Sequence, residues 1–236
     1  MSQSTRDTRE HIRQLLQCET SHAKWDERLD EMDSSELLHA VFQLSPDEQR
    51  HLLSVVSAER AAQLVEELPS TVSADLIEQM PAQAAAPILE EMASDSRVDV
   101  LSELDSDDTE AILEHLEKED VQEIRELISF APDVAGGLMM TEFAIYPESM
   151  PVRDVVEDLT GHDTDYERLT VHYVYVVGKR NVLRGVIRLR DLVLADHGLP
   201  IGDVSKPAIS VRPGSSLAEL YHLFTDHDIE SVPFVD

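Results

Sequence analysis

The sequence predicts a multidomain chain in which an all-α superhelix of short helices precedes a duplicated α+β region. Three observations support this prediction. Residues 45–128 divide into seven twelve-residue units, each with one apolar stripe. Alternating β-branched and aromatic residues first appear after residue 140, where strands are expected. The pattern of residues 144–159 then recurs at residues 209–224, an offset of 65 positions.

Each twelve-residue unit ends on an apolar residue, and apolar pairs stand three and four positions earlier. The closing residues are Val56, Leu68, Met80, Met92, Leu104, Leu116 and Ile128. This spacing gives one apolar face to a helix of about eight residues. A helix so short is not stable alone, so its apolar face must be buried against neighbouring units. Only Arg125, in the last unit, departs from the apolar pattern.

One long amphipathic helix is the alternative to many short ones. Pro46, Pro69, Pro81 and recurring Ser and Asp clusters argue against it, because they interrupt helices or begin new ones. Residues 1 to 44 also read as helical, with a looser apolar pattern that leads into the repeats. We therefore predict a helical N domain over residues 1–130.

Beyond a break at residues 129–133, the sequence predicts strands and helices in alternation. The strands are expected at 143–146, 172–177 and 182–189, and the helices at 151–160 and 190–195. Gly136 and Gly137 lie between the helical N domain and the strands, and both lack a Cβ. They predict a hinge between the helical N domain and the α+β region.

The duplication is incomplete in this sequence. The second copy has no counterpart of residues 182–195 before Asp236. We place the first copy at residues 138–200 and a partial second copy at 201–236. We also expect the chain to be a piece of a longer protein.

The composition narrows the classes of partner and activity. With 19 Lys and Arg against 48 Asp and Glu, the formal charge is −29, so nucleic acid is not expected as a partner. Cations fit better, although excess acid also serves solubility or life in a salty cytoplasm. There is no phosphate loop ending in Lys-Ser/Thr and no HExxH motif, and we predict that the protein is not an enzyme. No apolar run approaches the ~20 residues of a membrane span, so the chain as given is expected to be soluble.

The α+β region resembles a pair of CBS domains, through Gly185-Val-Ile-Arg-Leu-Arg-Asp191 in a β-α-β-β-α unit. The blocks AGGLMMTEF at 135–143, HYVYVV at 172–177 and LRGVIRLRDLVLAD at 183–196 resemble one family more closely, the MgtE magnesium channels and transporters. In that family the cytosolic part is a superhelix of short helices followed by a CBS-domain pair. The resemblance covers the whole chain and implies the same order here, with the second CBS domain incomplete.

The resemblance also implies a function. It describes the cytosolic Mg²⁺-sensing regulatory region of a magnesium transporter or channel, at the cytoplasmic side of the inner membrane in the full-length protein. Mg²⁺ bound between acidic domain surfaces is then expected to favour the closed state. The implied partners are a second copy, in a homodimer formed through the CBS part, and the membrane pore domain of the same full-length chain.

Four acidic residues are the metal ligands that the resemblance implies. Asp95 and Asp99 lie in the helical part, and Asp226 and Asp228 in the second CBS copy. The i, i+4 spacing of Asp95 and Asp99 places both carboxylates on one helical face. The alternative is structural, with Asp95 as a helix cap and Asp99 as a solvated residue.

The resemblance implies a second ligand, because CBS pairs often bind adenosine nucleotides. The matching residues are Tyr173, Arg190 and Asp191, of which Asp191 is able to accept hydrogen bonds from ribose hydroxyls. The alternative is that Arg190 and Asp191 simply begin a helix. ATP is thus a candidate ligand beside Mg²⁺. A soluble adenine-nucleotide-sensing CBS regulatory protein is the alternative to the transporter function.

Overall fold

The structure, a computed structural model, describes residues 3–16, 22–161, 171–227 and 229–235. The chain divides into two compact units, Met1–Ile128 and Ser129–Asp236, which we call the helical unit and the α+β unit. No helix among the described residues has both the length and the apolar character needed to cross a bilayer.

The helical unit is a succession of short helices. They are α1 (Gln3–Leu16), α2 (His22–Asp30), α3 (Ser34–Phe42), α4 (Pro46–Val55), α5 (Ala58–Glu66), α6 (Ser70–Glu78), α7 (Ala82–Glu90), α8 (Ser94–Glu103), α9 (Ser106–Leu113) and α10 (Lys118–Ile128). From α2 onward they begin twelve residues apart, so the repeat starts two units before the first one that the sequence reveals. In those two units the first position of the apolar pair is occupied by Arg28 and by the small residue Ala40. The repeat is therefore hard to recognise there from the sequence.

From α5 to α10, each repeat helix packs largely against a helix two positions away along the chain. These contacts join α5 to α7, α6 to α8, α7 to α9 and α8 to α10. The apolar pairs, such as Leu64 with Val65 and Ile88 with Leu89, lie in one continuous buried core. Arg125 stays exposed and pairs with Glu110. The predicted superhelix of short helices is confirmed.

Polar side chains at the fifth position of several units bond to the preceding helix. In two cases the donor reaches the backbone carbonyl oxygen eight residues earlier: Gln49 Nε2 to Val41 at 2.9 Å and Ser73 Oγ to Val65 at 2.8 Å. Thr109 Oγ1 donates mainly to the Asp105 carbonyl at 2.9 Å and lies 3.4 Å from that of Leu101, eight residues earlier. Carbonyls in the last turn of a helix lack an intrahelical partner, so these bonds help to satisfy them. They also fix one repeat against the next.

The α+β unit holds a three-stranded sheet covered by helices. Its elements are β1 (Ala144–Pro147), α11 (Val152–Leu159), β2 (Tyr173–Val177), β3 (Leu183–Arg188), α12 (Leu189–Leu194), α13 (Ile201–Val204) and α14 (Leu217–His227). The strand order is β1-β2-β3, with β1 parallel to β2 and β2 antiparallel to β3. Its core includes Val152, Val174, Val176, Ile187 and Leu192. The structure therefore confirms the predicted fold class, an all-α superhelix followed by an α+β region.

Gly136 and Gly137 are closely packed by their neighbours, and the hinge stays a prediction. The Gly136 N–H donates to the Pro213 carbonyl at 2.7 Å, and a Cβ on Gly136 would lie 2.7 Å from the Phe130 ring. A Cβ on Gly137 would lie 2.6 Å from the Ala131 carbonyl oxygen. Both glycines therefore serve close packing within the α+β unit. The copy boundaries at residues 138–200 and 201–236 stay predictions.

Glu48 links α4 to α1. Its Oε1 accepts a hydrogen bond from Arg13 Nε at 2.8 Å, and its side chain completes the capping box of α4 with Ser45. The bond from Arg13, followed by the bond from the Ser45 N–H, lowers the pKa of Glu48 from 4.5 to about 2. Because the folded pKa lies below the ordinary one, ionised Glu48 stabilises the fold above pH 4.5. This contribution is lost as the pH falls toward 2.

We therefore expect Glu48→Gln to melt at a lower temperature than the unsubstituted protein at pH 7, because a charge-assisted hydrogen bond is lost. The difference should narrow between pH 4.5 and about 2. Thermal melts followed by circular dichroism at several pH values measure it. Glu27→Gln, which removes an exposed carboxylate from α2, should show no such narrowing. A difference that stays constant with pH would contradict the prediction.

Candidate metal and nucleotide sites

Three acidic side chains follow one another along α8 at four-residue intervals, namely Asp95, Asp99 and Glu103. This interval puts them on one face of the helix. The N-cap of α8 is Ala93, so Asp95 is not the cap. It is the second helical residue, and its Oδ1 accepts a hydrogen bond from the Ser96 N–H at 2.7 Å. Negative charge in a first turn is favoured by the helix dipole.

Asp99 is an exposed residue, yet its environment disfavours the ionised form. Partial desolvation, then the charges of Asp95 and Glu103, raise the pKa of Asp99 above its ordinary value. A cation beside Asp95 and Asp99 would relieve both effects. Carboxylate oxygens are the ligands that Mg²⁺ prefers, so the donor set fits that ion.

The surrounding stretch lacks exposed positive charge. Residues 61–117 contain fifteen Asp and Glu and only one Lys or Arg, which is Arg97. Arg97 is 7% exposed, and its Nη2 donates to the Met92 carbonyl at 2.9 Å. Between Arg60 and Lys118, a stretch that the structure describes in full, the chain therefore has no exposed Lys or Arg.

A second acidic group arises only in three dimensions. In the described part of the chain, carboxylate oxygens of Glu78, Asp105 and Asp108 lie within 4.8 Å of one another. Sequence reasoning missed this group because Glu78 ends α6 whereas Asp105 and Asp108 begin α9. Asp105 Oδ1 accepts from the N–H groups of Asp107 and Asp108, both at 3.0 Å. Helix capping thus accounts for the position of Asp105.

The structure describes only one of the two metal ligands predicted in the second CBS copy. Asp226 is exposed near the end of α14. Asp228 lies outside the described residues.

The predicted nucleotide residues lie at one end of the β2–β3 hairpin. Tyr173 begins β2 opposite Arg188, whose guanidinium carbon is 5.9 Å from the Tyr173 ring centroid, within cation–π range. Arg190 and Asp191 follow directly in the first turn of α12, with Arg190 exposed. Lys206, which the sequence analysis missed, places Nζ 3.7 Å from Asp191 Oδ2. Its proximity depends on folding, and no sequence spacing indicates it.

This arrangement combines three recognition chemistries. A carboxylate accepts hydrogen bonds from hydroxyl groups, cations attract phosphate, and an aromatic ring offers a face for stacking. Together they suit a ribonucleotide. Asp191 thus has one partner beyond its own helix, Lys206, whereas the nucleotide site itself stays a prediction.

Known proteins resemble this chain in both of its units. Residues 32–133 match the MgtE intracellular N domain, and residues 134–198 match the CBS domain. The soluble part of a magnesium transporter superposes with a TM-score of 0.82 at 26% identity, covering 98% of this chain and 91% of that one. The chain is thus similar to proteins of the MgtE family, both in its matched helical domain and in its fold. The resemblance and the fold class inferred from the sequence are thereby confirmed.

Relatives within the MgtE family are longer than this chain. The magnesium transporter MgtE of Thermus thermophilus is 34% identical over 114 residues, and that of Enterococcus faecalis is 35% identical over 114 residues. Each match covers 48% of this chain and 25% of the relative. The cytosolic domain of the Mg²⁺ channel MgtE, solved in complex with ATP, is 26% identical with a TM-score of 0.71. This match covers 91% of our chain and 92% of the solved domain.

Asp95→Asn should lower the pKa of Asp99 toward its ordinary value, because one of the neighbouring charges is removed. The pKa should stay raised, because desolvation is the larger cause and persists. A titration of the side-chain carboxyl signals by nuclear magnetic resonance measures this.

Asp107→Asn, which removes a charge from α9 instead, is the matched control and should leave the Asp99 titration unchanged. If Asp95→Asn also leaves it unchanged while the protein keeps its helix content, the two carboxylates do not interact.

Proposed function

We propose that this chain is the cytosolic Mg²⁺-sensing regulatory region of a magnesium transporter or channel. The observation that carries the proposal is the row of carboxylates on α8, within a stretch of fifteen acids and no exposed Lys or Arg. The match of residues 32–133 to the MgtE intracellular N domain and the names of the similar proteins support it. In the proposal Asp95 and Asp99 hold the ion on the helical unit, and Asp226 and Asp228 hold it on the second CBS copy.

Weak binding suits a sensor. Mg²⁺ keeps much of its water and is usually held by one or two carboxylates, so a site built from Asp95 and Asp99 responds to concentration instead of retaining the ion. Acidic surfaces repel each other until a divalent ion neutralises them. Mg²⁺ bound between such surfaces favours the closed state, because a ligand shifts a population toward the form that binds it better.

We also propose which partners this chain binds and where it lies in the cell. The pore domain of the full-length chain is the regulated partner, and the region lies at the cytoplasmic side of the inner membrane. We also propose a homodimer through the CBS part. Among the described residues, nearly all exposed large apolar side chains belong to the α+β unit, including Phe143, Ile145, Val193 and Leu194. Concentrated exposed apolar surface is typical of interaction sites.

Mg²⁺ should raise the melting temperature more than NaCl of matched ionic strength. At ten times its dissociation constant, a one-site ligand stabilises the fold by about 1.4 kcal/mol, which corresponds to a rise of a few degrees. Asp95→Asn combined with Asp99→Asn should remove most of the rise that is specific to Mg²⁺. Differential scanning calorimetry of the 236-residue chain measures it.

Glu119→Gln combined with Glu123→Gln is the matched control, because it removes two charges at the same spacing from α10. This control should keep the Mg²⁺ response. Equal stabilisation by Na⁺ and Mg²⁺ in every variant would leave the acidic surface as plain solvation, and the proposal would fail.

Adenine-nucleotide binding is a second candidate function, at Tyr173, Arg190 and Asp191. The cation–π pair of Tyr173 with Arg188, at the same hairpin end as Asp191, favours it. A relative at 26% identity was solved in complex with ATP. A soluble nucleotide-sensing CBS protein would share this site. The coding sequence beyond Asp236 separates the two functions, because a transporter requires several apolar runs of about 20 residues.

Asp191→Ala should abolish ATP binding measured by isothermal titration calorimetry, because the acceptor for the ribose hydroxyls is lost. The melting temperature should stay nearly unchanged, since the Asp191 side chain is 46% exposed. Glu157→Ala, at an exposed position of α11, is the control and should bind ATP normally. Unaltered binding by Asp191→Ala would reject this site.

A further inference from the structure

The backbone of Lys206 is fixed against the edge of the sheet. Lys206 and Val186 exchange two backbone hydrogen bonds, at 2.8 and 2.9 Å. Gly185 permits this approach, because a Cβ there would lie 2.5 Å from Ser205 Oγ and 2.8 Å from the Lys206 carbonyl oxygen. The residue therefore emerges at a defined place beside β3, close to the start of α12.

The side chain of Lys206, by contrast, is loosely held. Its Nζ is 3.7 Å from Asp191 Oδ2, longer than an ordinary hydrogen bond, and the side chain is 79% exposed. An ammonium group has three donors on a flexible four-carbon stem. Lys206 can therefore leave Asp191 for another acceptor without disturbing the fold.

The charges at this end of the hairpin favour an anionic ligand. Lys206 pairs with Asp191, Arg188 lies over Tyr173, and Arg190 precedes Asp191 in the chain. These three cations compare with two carboxylates, Asp191 and Glu230, whose N–H donates to the Tyr173 hydroxyl at 3.4 Å. A neutral nucleoside would need only the hydroxyl acceptor and the aromatic face. Phosphate oxygens would use the additional cations through charge-assisted hydrogen bonds.

We propose that Lys206 makes the nucleotide site selective for phosphorylated ribonucleotides. In the free protein Lys206 pairs with Asp191, and in the complex it turns to a phosphate oxygen while Asp191 accepts the ribose hydroxyls. The inference rests on the proposed nucleotide function and adds to it a residue that reads phosphate. It exchanges a long, exposed ion pair for a shorter contact to a charged oxygen.

The test compares adenosine, AMP, ADP and ATP by isothermal titration calorimetry, with a chelator present so that Mg²⁺ does not mask the phosphate charge. Lys206→Gln should weaken ATP binding about tenfold, the size expected for one charge-assisted hydrogen bond. Adenosine affinity should stay the same or rise, because Asp191 loses a competing partner. Lys206→Arg should retain the preference for ATP.

Lys179→Gln is the matched control, because Lys179 lies in the turn between β2 and β3, at the opposite end of the hairpin. The strand from Tyr173 to Val177 spans about 13 Å, and Lys179 lies two residues beyond Val177. This variant should bind every nucleotide as the unsubstituted protein does, and melting temperatures should confirm that all variants fold.

Each other outcome overturns the inference in a recognisable way. An equal loss of adenosine and ATP affinity in Lys206→Gln would mean that Lys206 only orients Asp191. ATP binding that needs Asp191 but ignores Lys206→Gln would reject the inference and leave the nucleotide function intact. If the unsubstituted protein binds none of the four compounds, the nucleotide function fails, and this inference fails with it.

Discussion

The repeat helices are mostly nine or ten residues long, too short to be stable in water by themselves. Each therefore depends on burying its apolar pair against neighbours, chiefly the helix two positions away. This dependence fixes the inner positions of every twelve-residue unit. Charged side chains are left with the remaining positions, and between Arg60 and Lys118 all of the Asp, Glu, Lys and Arg residues except Arg97 are acids. The ordering that stabilises the superhelix thus also creates its acidic surface.

The two units divide the charge unequally. Residues 1–128 carry 31 Asp and Glu against ten Lys and Arg, whereas residues 129–236 carry 17 against nine. Six of those nine bases lie between Lys179 and Lys206, on or beside the β2–β3 hairpin. Cations therefore favour the helical unit, and anions favour this part of the α+β unit. On the proposed functions, one chain carries sites for both kinds of ligand without their competing for the same residues.

A feature could be predicted from the sequence when its residues recur at a regular spacing. A feature that arises only when distant segments pack together could not. The superhelix was predictable because apolar pairs such as Leu76 and Ile77 recur in every unit. Arg28 and Ala40 interrupt that pattern, so the sequence does not indicate the two repeat units that form α2 and α3. The grouping of Glu78 with Asp105 requires packed helices, so no spacing shows it. Gly136 illustrates a further limit, because the sequence reveals a missing Cβ but not whether flexibility or close packing requires it.

The two proposed ligands also interact in solution, because Mg²⁺ is commonly bound by nucleotide phosphates. Such a complex carries less negative charge than free ATP. A site lined by Arg188, Arg190 and Lys206 would therefore bind free ATP better than the magnesium complex. A fall in free Mg²⁺ would empty carboxylates such as Asp95 and Asp99 and would raise the share of ATP that is metal-free. Both proposed sites would then report the same change, one by losing its cation and the other by gaining its anion. Any coupling between the sites must be reciprocal, so bound nucleotide would alter Mg²⁺ affinity by the factor with which Mg²⁺ alters nucleotide affinity.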